Sequence, residues 1–302
     1  MIAACKQAIY KCLYLAQETS TRIGACFLLK KGPPGDNIIN GQLSIMKQIP
    51  NIFTLLNLFF GCIAIVYALQ TESIIIYTND EFTSSFNIPE KLAIAALFLY
   101  AAALVDFLDG FVARFFKVCS EMGKQLDSLA DVVSFGVAPG VILFQLLRMS
   151  LIREENGLDA SIAWFLPAFI ISCAAAYRLA KFNLDTTQHY GFKGVPTPAV
   201  GLLVASFPLI LHYGAGWSNI GNWLTNKWIL YILILLLSWL MISNLSIMAF
   251  KFKDYTLKNN VPKLILLVIG LISILLLKWL AVPIIFIAYI ILSLLLKNKQ
   301  TT

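Results

Sequence analysis

Four aspartates, Asp106, Asp109, Asp127 and Asp131, stand within one short polar stretch between runs of apolar residues. Asp106, Asp109, Gly110 and Ala113 follow at i, i+3, i+4 and i+7, the spacing that lines one face of a helix. Gly123, Asp127 and Asp131 follow at i, i+4 and i+8 and line one face of the next. The short connection between the two makes them antiparallel neighbours. At a rise of ~1.5 Å per residue, the two aspartate pairs then fall at similar depth and face each other. Carboxylates without His or Cys suit a hard cation such as Mg²⁺ or Mn²⁺ rather than zinc. Four ionised carboxylates carry −4, which two divalent cations cancel, and such a pair is a standard device for in-line displacement at phosphorus. Gly110 and Ala113 keep the same face free of bulk and leave room for a substrate group. Read one by one, the aspartates are equally suited to be helix caps or salt-bridge partners; the spacing of all four argues for a common site.

The surroundings make the cluster costly. The 302 residues are 59% hydrophobic and 13% charged, with a mean hydropathy of +0.79, against roughly 45–50% apolar and 25% charged in a soluble domain. One charged side chain at the bilayer centre costs ~2.5–3.5 kcal/mol on the insertion scale. The composition predicts an all-α polytopic membrane protein with little room for a soluble domain. Apolar runs of spanning length are read at 52–70, 92–116, 125–147, 161–181, 197–213, 228–249, 263–280 and 282–296, about eight helices, with a tight hairpin at Ala281–Pro283.

Eight spans place both ends of the chain on one side. Eighteen of the 23 Lys and Arg fall on that side, counting Arg114, Lys117 and Lys124 in the second loop and Arg178, Lys181 and Lys193 in the fourth. Five fall opposite: Lys91, Arg148, Arg153, Lys227 and Lys278. The bias predicts N-in and C-in, in the cytoplasmic membrane, with the aspartates facing the cytoplasm. The net charge of +7 is accounted for by these loops and by anionic headgroups, not by nucleic acid. Residues 1–45, with the turn-prone GPPGDN at 32–37, are expected to be a dispensable extension ahead of Met46. The loop at 71–90 is acidic. The six cysteines contain no C-x-x-C pair and give neither a disulfide framework nor a zinc signature. His189 and His212 are isolated.

The pattern D-x2-D-G-x2-A-R-x8-G-x3-D-x3-D, matched by Asp106, Asp109, Gly110, Ala113, Arg114, Gly123, Asp127 and Asp131, resembles the signature of the CDP-alcohol phosphatidyltransferases. That resemblance implies a membrane enzyme that displaces CMP from a CDP-linked lipid with two Mg²⁺ or Mn²⁺ ions. It implies that all four aspartates hold the metals and that Asp127 and Asp131 are catalytic, Asp131 as the base. It also implies that Gly110, Ala113, Arg114 and Gly123 line the CDP pocket. The flanks IPNIFTLLNLFFG (49–61), GKQLDSLADVVSFGVAPG (123–140) and YRLAKFN…GFKGVPTPA (177–199) resemble the membrane-type phosphatidylserine synthases. They imply CDP-diacylglycerol and L-serine as substrates and a family core over 46–215, with 216–302 as additional C-terminal helices.

Other side chains follow from those flanks. Thr54 and Asn57, at i and i+3 on the first helix, are candidates for the CDP pocket or for interhelical hydrogen bonds. Arg178, Asn183 and Lys193 are candidates to hold the acceptor or a phosphate. Pro196 and Pro198 are expected to fix the loop ahead of the fifth helix. The small residues Cys173–Ala176 offer a face for close helix packing, as in a homodimer. No Cys or His is placed as a covalent nucleophile, so displacement is expected to be direct. Within the family the rival acceptors are inositol and glycerol 3-phosphate. From another class, the rival is a divalent-cation transporter, which would spread its polar groups along several spans.

Overall fold

The computed structural model describes residues 49–70, 90–115, 121–152, 160–184, 192–214, 218–247 and 257–297. The extension at 1–45 and nearly all of the acidic loop lie outside the described residues. Among the described residues the fold is helical, apart from one two-residue strand pair.

Helix α1 spans Ile49–Leu69 and α2 spans Glu90–Phe115, and the two pack along their length. Helix α3, Glu121–Val132, runs through a π-turn at Val133–Val137 into α4, Ala138–Ile152. Two 3₁₀ turns, Ile162–Trp164 and Leu166–Phe169, lead into α5, Ile170–Leu184. Then come strand β1 (Phe192–Lys193), α6 (Thr197–Tyr213), the short α7 (Ser218–Leu224), α8 (Lys227–Ile242) and strand β2 (Ser246–Ile247). Helices α9 (Leu257–Leu277) and α10 (Ala281–Lys297) close the chain.

Five helical runs are long and apolar enough to cross a membrane: 50–69, 91–112, 122–152, 162–184 and 264–295; α6 and α8 are shorter apolar helices. The eight apolar runs of the sequence thus reappear as helical segments, but three boundaries move. The last helical run doubles back, with Lys278 at φ 49° and Gly270 of α9 facing Ile285 of α10. The reversal lies at Lys278–Leu280 rather than at Ala281–Pro283. Pro283 falls instead in the first turn of α10, where its missing N–H would have had no helical partner. Helix α8 ends at Ile242, not near 249, because the polar pair Ser243–Asn244 takes over; Ser243 Oγ donates to the Leu240 carbonyl at 2.8 Å. The third segment starts earlier, so Lys124 lies on α3 and not in a loop.

Lipid tails are as apolar as leucine, so helices in a membrane are held by close packing and hydrogen bonds. The π-turn is where that packing concentrates. Pro139 has no N–H to give to the preceding turn and its ring needs space there; the turn widens, and the Ala138 N–H reaches back to the Val133 carbonyl. Three helices then approach the widened turn through small residues. A Cβ on Gly61 of α1 would strike Ser134 Oγ and lie 2.9 Å from Ser134 Cα. One on Gly201 of α6 would lie 3.1 Å from the Phe135 ring. Gly136 sits against Ala175 of α5, and Ser172 Oγ donates to the Gly136 carbonyl at 2.9 Å. Ala174 and Ala175 are therefore buried within the chain, and this part of the small-residue face serves α5 against the π-turn rather than a second copy.

Gly61→Val is accordingly expected to destabilise the bundle by about 1–3 kcal/mol, the usual range for overpacking. Thermal melts in detergent check this against Gly270→Ala, whose added methyl would meet nothing nearer than 3.7 Å. Equal melting temperatures would mean that the α1 crossing has slack.

Strands β1 and β2 pair antiparallel, Phe192 with Ile247 and Lys193 with Ser246. Beyond them the Gly194 N–H donates to the Leu245 carbonyl at 2.8 Å and the Val195 N–H to the Leu240 carbonyl at 3.1 Å. Pro196 then caps α6 in an extended conformation, with Pro198 in its first turn, as expected. Helix α8 packs on α5, and α10 packs on α6 and β2, so the helices after 215 belong to the same body as those before it.

Candidate active site

Helices α2 and α3 deliver the carboxylates. Oxygens of Asp106, Asp127 and Asp131 all lie within 4.8 Å of one another. Asp131 is 2% exposed, and Asp106 and Asp109 are buried as well. Asp109 stands beside this trio, and its Oδ2 accepts from Thr54 Oγ1 of α1. Asn57, one turn further along α1, donates from Nδ2 to Asp131 Oδ1 at 3.5 Å. Its backbone carbonyl accepts from Ser134 Oγ of the π-turn at 3.1 Å. Of the two roles the sequence left open for Thr54 and Asn57, the interhelical hydrogen bond is the one observed.

Arg178 of α5 is buried and interacts electrostatically with Asp131 and with Tyr289 of α10. Its NH1 donates to Thr197 Oγ1 at 2.7 Å, while its Nε has no partner among the described residues. Asn183 donates to Ser128 Oγ at 2.7 Å, and Ser128 donates in turn to the Lys124 carbonyl. Lys181 Nζ donates to Asn244 Oδ1 at 2.9 Å. Gly110 and Gly123 are half-buried on α2 and α3. Ala113 and Arg114 lie on the last turns of α2, and Lys193 lies in β1.

Sequence reasoning missed Thr197, Ser128, Ser134 and Tyr289. The first three sit inside motifs that had been singled out, in PTPA, LDSLAD and SFG, and hydroxyls among small residues were the available signal. Tyr289 lies in an otherwise apolar helix, and nothing local distinguishes it.

The donor set fits a divalent cation. It offers carboxylate oxygens without His or Cys, as Mg²⁺ or Mn²⁺ prefers. Buried carboxylates this close repel one another, and Arg178 supplies one positive charge against them. Asn57 Oδ1 is sealed from solvent and unpartnered among the described residues, an acceptor free for a cation or for a donor on a ligand. Asp106, Asp127 and Asp131 would hold such an ion, with Asp109 alongside.

Comparison with known proteins agrees with this geometry. The family model described as CDP-alcohol phosphatidyltransferase matches residues 47–242, from the start of α1 to the end of α8. A CDP-diacylglycerol–serine O-phosphatidyltransferase of Helicobacter pylori is 31% identical over 223 residues, covering 72% of this chain and 79% of that one. The enzyme of the same name from Mycobacterium tuberculosis is 31% identical over 207 residues, 66% of this chain and 62% of the other. That of Bacillus subtilis is 36% identical over 132 residues, 40% of this chain and 66% of the other. The match takes in all three helices that build the carboxylate site, and the chain belongs to the CDP-alcohol phosphatidyltransferase family.

Proposed function

We propose that the chain transfers the phosphatidyl group of CDP-diacylglycerol to the hydroxyl of L-serine, forming phosphatidylserine and releasing CMP. The convergence of Asp106, Asp127 and Asp131 within 4.8 Å carries the reading of the reaction; the names of the relatives support serine as acceptor. The cofactor is Mg²⁺ or Mn²⁺, two per site, held by the four aspartates. Bound there, the ions neutralise the diphosphate and the charge that builds up on the leaving group. Asp131, with Oδ1 held by Asn57, takes the serine hydroxyl proton at its carboxylate. A bond forms between the serine oxygen and the lipid-linked phosphorus, the bond from that phosphorus to the bridging diphosphate oxygen breaks, and CMP leaves with the electron pair. Arg178, with Nε unpartnered among the described residues, holds an anionic group of the acceptor or the phosphate, together with Asn183 and Lys193. Gly110, Ala113, Arg114 and Gly123 border the nucleotide.

The charge bias, eighteen Lys and Arg against five, supports an inner-membrane protein whose site opens to the cytoplasm. The family core is taken as 46–215, with 216–302 completing it. Purified protein given CDP-diacylglycerol is expected to release CMP when serine is supplied, and to stop reversibly on chelation by EDTA. Release with inositol or glycerol 3-phosphate instead would assign another acceptor. Cation transport into vesicles without CMP release would put the protein in a different class.

A further inference from the structure

Thr54 and Asn57 sit where a nucleotide contact would be sought, yet their donors, Thr54 Oγ1 and Asn57 Nδ2, are already committed to carboxylates. Thr54 is 2% exposed and Asn57 is fully buried. They lie at i and i+3 on α1, so both point the same way, and from that one face they reach carboxylates on two different helices. Thr54 Oγ1 has a single proton and two acceptors in range, Asp109 Oδ2 and the Pro50 carbonyl at 3.2 Å; the carboxylate is the nearer. Asn57 Nδ2 reaches Asp131 Oδ1. The turn of α1 that carries Asn57 is itself pinned, because its carbonyl accepts from Ser134 Oγ and Gly61, one turn on, leaves no room between α1 and the π-turn.

We propose that Thr54 and Asn57 are positioning residues that orient the carboxylates of Asp109 and Asp131 for cation binding, and are not nucleotide contacts. Each donates a neutral hydrogen bond to one oxygen of its carboxylate, which fixes the rotamer and leaves the second oxygen for the ion. Partners of this kind set the orientation of metal ligands and are worth on the order of 10–100-fold in metal affinity. The inference rests on the reading of the aspartates as a cation site.

The test uses the full chain in detergent, with Mn²⁺ as probe and free Mn²⁺ followed by its electron paramagnetic resonance signal. Thr54→Val, which keeps the shape and removes the donor, is expected to weaken Mn²⁺ binding by about 10-fold or more. CMP binding at saturating Mn²⁺ should stay as in the wild type, and Thr54→Ser should restore the Mn²⁺ affinity. Should Thr54→Val not fold, Asn57→Leu is scored in the same way. Wild-type binding of Mn²⁺ that the variants leave intact overturns this inference alone, as does weakened CMP binding with Mn²⁺ affinity unchanged. A wild-type chain that binds no Mn²⁺ overturns the cation site and this inference with it.

Discussion

Replacing Asp131 by Asn is expected to abolish serine-dependent CMP release while leaving the helical bundle as stable as before, or more so. The side chain is 2% exposed and lies within 4.8 Å of the carboxylates of Asp106 and Asp127. Loss of a positioned base alone costs about 10²–10⁴ in rate, and here a cation ligand is lost with it. The stability argument runs the other way. Buried like charges at such distances repel strongly, and an amide of the same shape removes one of them. Against this stands the lost attraction to Arg178, which keeps its hydrogen bond to Thr197. CMP release and a melting curve of the chelated protein, measured on one preparation, check both halves. A near-normal rate would end the assignment of Asp131 as base, and a large fall in melting temperature would mean that the aspartate is structural.

Gly194→Ala is expected to damage acceptor use specifically. Gly194 has φ +78°, a region that costs an L-residue ~1–2 kcal/mol. A Cβ there would also strike the Met241 carbonyl oxygen and lie 2.9 Å from that of Ser243. Both are backbone atoms and cannot swing aside. The loop must lift, and its bonds to Leu245 and Leu240 go with it. Thr197, the partner of Arg178, follows three residues later and shifts too. If the displaced loop takes about 1.4 kcal/mol from acceptor binding, the result is roughly a tenfold loss in kcat/KM, appearing as a raised KM for serine. Mn²⁺ binding should change less than serine use, because the described aspartates reach this loop only through Arg178 and its partner Thr197. An unchanged KM for serine would remove the loop from the acceptor side.

The carboxylate site was largely legible because helical periodicity is local. Spacings of three and four put Asp106 with Asp109 and Asp127 with Asp131, and a short connection made the two helices face each other. What the spacing could not give is which carboxylates converge. Asp109 accepts from Thr54, a contact between residues far apart in the chain, and no periodicity encodes it. The π-turn was hidden for a similar reason: SFGVAPG reads as small and apolar, and its widening follows from how Pro139 meets the preceding turn inside a packed bundle. The helix ends were misread wherever a proline or a polar pair acts through backbone hydrogen bonds rather than hydropathy, as at Pro283 and Ser243. Tyr289 reaches the site only because the C-terminal hairpin folds back over α6.

The bond between Gly194 and Leu245 also bears on how the protein comes into being. All four aspartates of the candidate site lie before residue 132, so a chain emerging from the ribosome holds that carboxylate set early in synthesis. The partners of the acceptor loop, Leu240, Leu245 and the β2 strand, are made much later. Until they have been inserted, the nascent chain has the cation site without the finished loop. A chain terminated before residue 240 lacks the backbone partners of Gly194 and Val195 and is expected to lose serine-dependent CMP release.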